Sequence, residues 1–218
     1  MLRTHFVNKS VSNERTYSGI SLTERTAARR QRFIEAGIEL FGTIGYNATT
    51  VRKLTAITEL SNRYFYESFE SMEDLLIACY DALMDDFREN LQQTLIDSNE
   101  TLDSKIHNGL TCFYTAMSDP KFARITHTEV LGISSRVDGM YHNKMTEFAQ
   151  FMMNYLQDSK AAPFSPFQKS LVGAMLVGGV THAGMVWVRS GYEQPIESVV
   201  EAVKKVFLGT SHQFIGSD

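Results

Sequence analysis

With 218 residues, 43% of them hydrophobic and only four prolines, the chain can bury a sizeable core in one large or two small domains built from long helices. Its net charge of −4 argues against a chain that is basic throughout. Its two widely separated cysteines, Cys79 and Cys112, match no metal, redox or disulfide spacing and read as buried thiols in a reducing compartment.

Residues 1–20 are polar, lack periodicity and carry no charged-then-apolar secretion pattern, so they read as a flexible arm. A first helix is predicted from Thr23 to about Gly42. Phe33, Ala36, Gly37, Leu40 and Phe41 lie on one face of it, with Arg25, Arg29, Arg30 and Arg32 in its first half. Ser21 or Thr23 can cap it, and Glu24 stands three residues after Ser21. Gly42 and Gly45 supply the exit. Thr49 or Thr50 then caps a second helix carrying Val51, Leu54 and Ile57. After Leu60 the chain turns, and Ser61 can cap a third helix from Asn62 to about Phe69.

The third helix carries the functional argument. Phe65 and Phe69, four residues apart, can dock it on the first two helices and leave Asn62, Arg63, Tyr64 and Tyr66 for other work. Asn and Arg make two-point contacts with adenine and guanine edges, and tyrosine offers a hydroxyl to phosphate and a flat face to thymine methyls. Charge agrees with that use. Residues 1–70 hold ten Lys/Arg against seven Asp/Glu, a net of +3, whereas residues 71–218 hold eleven against eighteen, a net of −7. The basic excess is local to the proposed reader, as phosphate attraction requires. The expected DNA contacts are Arg29, Thr50, Arg52, Ser61, Asn62, Arg63, Tyr64 and Tyr66.

Beyond residue 70 the pattern remains helical. Ser71 caps a long fourth helix to about Ile96, with Glu73 and Asp74 in its first turn. A fifth spans about Leu102 to Met117, and Asp119-Pro120 breaks it. A short sixth is predicted over Phe122 to Leu131, a seventh over Asp138 to about Gln157, an eighth over Phe167 to Arg189 and a ninth over Ile196 to Leu208. The eighth has no formal charge between Lys169 and Arg189, a length that could span a bilayer. Its glycines, its central His182 and its shortage of leucine weaken a membrane reading. Small residues at Ala174/Gly178 and Gly179/Ala183 would let another helix approach closely, and Val199 and Val203 on the ninth offer a matching stripe. These six positions are the expected dimer interface.

Enzymatic signatures are missing. The six histidines form no i, i+3 or i, i+4 pair, and neither HExxH, GxSxG, a Walker loop nor GxGxxG occurs. The expectation is a protein that is not an enzyme and holds no metal or cofactor.

Ala36, Leu40, Phe41, Gly45-Tyr46, Thr50-Val51, Leu54, Leu60-Ser61, Tyr66, Phe69, Glu73 and Leu75-Leu76 are spaced as in the DNA-binding head of the tetracycline-repressor (TetR) family, which this segment resembles. Two positions depart from that pattern. Glu59 occupies the turn position usually held by glycine, and Met72 replaces the basic residue that contacts phosphate in the family.

The resemblance implies an all-α fold of about nine helices, with a three-helix head at residues 21–70 and an effector-binding, dimerising body at 71–218. It also implies that the last two helices pair with their copies and that the fifth to eighth helices build an effector pocket. Met and aromatic density in those helices points to Phe113, Tyr114, Met117, His127, Tyr141, Met145, Phe148, Met152 and His182 as its members. The expected protein is a cytoplasmic, homodimeric repressor, released from a palindromic double-stranded operator by a small apolar or amphipathic ligand. A helical small-molecule carrier or enzyme with an incidental head is the alternative, and a single-pass membrane protein is the more distant rival.

Overall fold

A computed structural model describes residues 21–95, 101–156 and 165–214 of the protein; the expected N-terminal arm lies outside them. The described residues form nine α-helices and no strand. The first three make the head: α1 (Leu22–Thr43), α2 (Val51–Thr58) and α3 (Asn62–Ser68). The body follows as α4 (Met72–Thr94), α5 (Leu102–Met117), α6 (Pro120–Arg124), α7 (Ser135–Leu156), α8 (Pro166–Arg189) and α9 (Ile196–Phe214).

Local chemistry explains most of these boundaries. Ser21, not Thr23, starts α1 through a reciprocal box: its Oγ accepts from the Glu24 N–H at 3.1 Å, and Glu24 accepts from the Ser21 N–H at 2.7 Å. Thr50 caps α2 and Ser71 caps α4 through their hydroxyls. Thr49 is instead buried, donating to the Gly45 carbonyl at 2.8 Å. Ser61 occupies the cap position of α3, but its side chain makes no capping bond. Between α2 and α3 the chain reverses at Glu59, whose φ of 55° lies in the left-handed region. Arg32 of α1 donates to the Thr58 carbonyl beside it and ties that turn to the head.

The sixth helix differs from expectation. It begins at Pro120, where proline suits a first helical position and Asp119 caps the Lys121 N–H. It then widens without a break into a π turn at Ile125–Glu129. The ninth helix runs six residues past the expected Leu208, to Phe214.

Two cores hold the molecule. The first gathers Phe33, Leu54, Phe65 and Phe69 of the head with Leu75, Leu76 and Cys79 of α4 and Ile125 of the π turn. Here α1 crosses α4 so closely that a Cβ at Gly37 would lie 2.6 Å from the Cys79 sulfur. The second core lies in the body around Phe87, Leu110, Phe113, Tyr114, Met117 and Trp187, with α5 along α9 and α7 along α8.

By length and composition α8 could cross a membrane. In the fold, Gly173, Val177, Gly184 and Trp187 form its buried side, and a Cβ at Gly173 would meet Met153 Cγ at 2.9 Å. The opposite side, with Leu171, Met175 and Val186 each more than half exposed, is apolar and uncovered within the protomer.

Candidate nucleic-acid interface and internal cavity

On α3, burial of Phe65 and Phe69 turns Asn62, Arg63 and Tyr66 outward; Tyr66 is 61% exposed and the Arg63 side chain 84%. Ser61, Thr50 and Arg52 are exposed beside them. The Thr50 hydroxyl also accepts from the Lys53 N–H at 3.3 Å, and the Lys53 amine donates to the Ala48 carbonyl at 2.8 Å.

Two expected contacts, Tyr64 and Arg29, also pack within the head. Tyr64 is half-buried against the head core, because its register on α3 points it toward α1. Arg29 stacks on that ring at 4.1 Å from its centroid and lies 3.9 Å from Glu67. Both residues brace α3. Glu67 itself went unnoticed in the sequence: it accepts from Arg63 Nε at 2.8 Å, placing a carboxylate on the proposed reading face. The i, i+4 spacing of Arg63 and Glu67 could have revealed it. Met72 is half-buried against the first core, and the cation at the start of α4 is instead Arg136 of α7, paired with Asp74.

The body contains an apolar cavity of about 60 Å³ bordered by α4, α5, α7, α8 and α9. Among the expected ligand residues, Phe113, Phe148 and Met152 line it. A smaller void of about 10 Å³ continues toward the head, lined by Tyr80, Thr126, His127 and Met145. Phe87, Phe113, Phe148 and Thr181 belong to both walls. Burial pushes the His127 imidazole down to about 4, so it is neutral at physiological pH.

Four expected lining residues are corrected, since they line neither space. Tyr114 and Met117 are fully buried in packing, and the Tyr114 hydroxyl donates to the Val180 carbonyl at 3.1 Å. Tyr141 stacks edge-on against Tyr80, 6.2 Å between centroids. His182 is exposed on the outer side of α8. A wider, open groove of about 430 Å³ lies outside α4 and α5, lined by Asp86, Asn90, Thr111, Cys112 and Asp119 and separated from the interior by Phe87 and Phe122. It was not foreseen, because it arises between two helix faces that each read as ordinary solvated surface.

Of the expected interface residues, Ala174, Gly178 and Gly179 lie on the exposed side of α8, with nothing within 4 Å of a Cβ at either glycine. Ala183 is half-buried. Val199 and Val203 are half-buried and pack against the protomer's own second core, where α9 lies along α5.

Head and body meet at the π turn. The Tyr46 N–H donates to Glu129 Oε2 at 2.7 Å, Arg124 Nε donates to Glu129 Oε1 at 2.7 Å, and Arg124 Nη1 donates to the Thr43 carbonyl at 2.6 Å. Lys121 pairs with Glu39 on the outside. Among the described residues no group of three or more His, Cys, Asp or Glu side chains could hold a metal ion.

Residues 33–79 match the family model of bacterial regulatory proteins of the tetR family. No curated protein matches the chain by sequence. The fold is similar to that of the fatty acid degradation regulator FadR from Bacillus halodurans, with a TM-score of 0.70 and 15% identity over 83% of this chain and 95% of that one. It is also similar to the transcriptional regulator FadR from Bacillus subtilis, solved in complex with stearoyl-CoA, with a TM-score of 0.67 and 14% identity over 81% and 96%. A TetR-like transcriptional regulator from Rhodococcus sp. RHA1 gives 0.65 and 18% over 85% and 97%.

Proposed function

From a head whose residues 33–79 match the model of the tetR family of bacterial regulatory proteins, we propose that this protein is a cytoplasmic, homodimeric transcriptional repressor that leaves its operator when an apolar or amphipathic ligand enters the body. The head, residues 21–70, reads DNA; residues 71–218 bind the effector and dimerise. The observation that carries this reading is the outward set Asn62, Arg63 and Tyr66 on a helix anchored by two buried phenylalanines. Thr50, Arg52 and Ser61 add contacts beside them.

In a dimer, two copies of α3 enter successive major grooves about 34–36 Å apart on a near-palindrome. The bare side of α8 around Gly178 supports such pairing, because a two-fold axis makes one apolar patch self-complementary. The effector is a single-chain lipid-like molecule. Supporting this are the narrow cavity, its almost wholly apolar wall among the described residues, and the fold shared with a regulator solved with stearoyl-CoA. A ligand that prefers a body conformation with displaced heads lowers DNA affinity through its differential binding to the two states. No catalytic step is assigned to the chain.

Duplexes selected from a random pool by the purified protein test the reading. Selection should yield a near-palindrome that shifts in a gel at moderate salt, bound by two protomers. Enrichment of no sequence, with equal retention of all duplexes, would overturn it.

A further inference from the structure

His127 stands beside Thr126 in the π turn, and the bonds these two make fix where their hydrogens lie. The Thr126 hydroxyl is 2.7 Å from the Phe122 carbonyl, which can only accept, so its hydrogen is spent there. The same hydroxyl oxygen is 2.6 Å from His127 Nδ1. Nδ1 is therefore the donor of that second bond. Burial keeps the imidazole neutral. A neutral ring with its hydrogen on Nδ1 carries a bare lone pair on Nε2.

Among the described residues no donor reaches that lone pair. The ring lines the void of about 10 Å³ together with Tyr80, Met145 and Phe148. Tyr80 is 1% exposed, burial holds its phenol protonated, and its hydroxyl makes no hydrogen bond among the described residues. Thr181 lines the same void, but its hydrogen is spent on the carbonyls of Val177 and Gly178, at 2.9 and 3.1 Å. One acceptor and one donor thus remain around a space the size of about one water-sized group. Phe87, Phe113 and Phe148 carry the wall on into the larger apolar cavity and offer neither of them a partner.

A hydroxyl answers both groups, donating to Nε2 and accepting from the Tyr80 O–H. A methyl end answers neither. A carboxylate has no hydrogen to give to Nε2, and an ammonium has no lone pair for Tyr80. Resting on the effector reading above, we infer that His127 and Tyr80 form a hydroxyl-binding site at the inner end of the cavity, and that the effector is a single-chain molecule whose buried end is an alcohol. The apolar wall supplies affinity for any such chain. The His127 and Tyr80 pair selects among them, because a buried acceptor left without its donor weakens the chains that lack one.

The test uses the full chain with decanol, its methyl ether, decanoate and stearoyl-CoA, each below its solubility or micellar limit. Melting shifts across a concentration series give the order of affinity, and the imidazole nitrogen resonances of His127 report contact at Nε2. Decanol should bind about tenfold more tightly than the ether, which keeps the oxygen but has no hydrogen to give. It alone should move the Nε2 resonance. His127→Phe should erase the advantage of alcohol over ether while both still raise the melting temperature. Tyr80→Phe removes the donor and leaves the acceptor, so it should shrink that advantage, and it serves where the first variant fails to fold. Equal binding of alcohol and ether with an unmoved resonance overturns the hydroxyl site while the effector reading stands. Stabilisation by stearoyl-CoA with none by decanol does the same. Tightest binding by decanoate, with Nε2 gaining a proton, overturns the choice of an alcohol. If none of the four shifts the melt, the effector reading falls and the site with it.

Discussion

The Glu129 carboxylate and the Tyr46 backbone, 83 positions apart in sequence, are joined by a hydrogen bond of 2.7 Å. Arg124 fixes the other carboxylate oxygen and reaches on to the Thr43 carbonyl, so one ion pair clamps the α1–α2 hinge from the body. Gly45 sits inside the clamp with φ +88°, and a Cβ there would lie 2.6 Å from Arg124 Nη2. Position of the heads is therefore set where the π turn ends.

Glu129→Ala leaves the Tyr46 N–H and the Arg124 guanidinium without their partner. The loss should be about 1–3 kcal/mol of stability, the cost of a charge-assisted bond removed from a part-buried site. Chemical denaturation measures it, and amide exchange should rise at 43–50 before it rises in the body. Unchanged exchange there would show that the hinge is held by other contacts.

Arg63 and Glu67 oppose each other on the reading face. Arg63→Ala should weaken operator binding by about 1–3 kcal/mol if it reads a guanine edge, and relax preference at one base pair. Glu67→Gln removes a negative charge from that face and frees both Arg63 and Arg29, so affinity should rise across all duplexes. Titrations at several salt concentrations distinguish the two effects. Both variants should melt within about 0.5 kcal/mol of the parent, as surface changes usually do.

Glu59 holds a left-handed conformation that costs an ordinary residue about 1–2 kcal/mol. Glu59→Gly relieves that cost and should stabilise the protein by about 1 kcal/mol after the extra chain entropy of glycine is offset. A thermal melt checks the sign. A destabilised variant would mean that the glutamate side chain contributes more than its backbone costs.

Gly178 and Gly173 lie five residues apart on α8 and should respond oppositely. Gly178 opens to empty space, so Gly178→Glu should leave the protomer fold intact but bury an unpaired carboxylate in a dimer, at a cost of several kcal/mol. Sedimentation should then show folded monomers that no longer bind a palindrome. Gly173→Ala drives a methyl against Met153 Cγ and the Ala149 carbonyl, so it should lower the melting temperature without changing the assembly state. A wild-type protein that sediments as a monomer at micromolar concentration yet binds a palindrome tightly would remove the basis for this contrast.

His127, held down to about 4 from an ordinary 6.5 by burial, makes folding pH-dependent. The unfolded chain takes up the proton below 6.5 while the folded one resists, so the stabilisation is full above 6.5 and is lost as pH falls toward 4. The full effect across that window is on the order of 3 kcal/mol. His127→Phe should flatten the dependence between those limits in denaturation measured at stepped pH. An unaltered curve would place the imidazole in solvent.

The head was legible in the sequence because its information is local. The Ser21–Glu24 box, the Thr50 and Ser71 caps and the four-residue spacing of Phe65 and Phe69 each follow from short-range geometry, and each appears in the fold. Exposure of Asn62, Arg63 and Tyr66 then follows from burial of the two phenylalanines. Helix existence in the body was legible on the same grounds. What each body residue does was not, because Met and aromatic side chains fill a core and line a cavity with identical periodicity. Only packing decided that Tyr114 and Met117 fill the core while Phe113, Phe148 and Met152 face the cavity, and that Val199 and Val203 face α5 while Gly178 faces outward. The link from Glu129 to Tyr46 lies beyond sequence reading altogether. It depends on a π turn that rotates one carboxylate toward a segment 83 residues away, and long-range approach of that kind is fixed by how the two cores dock.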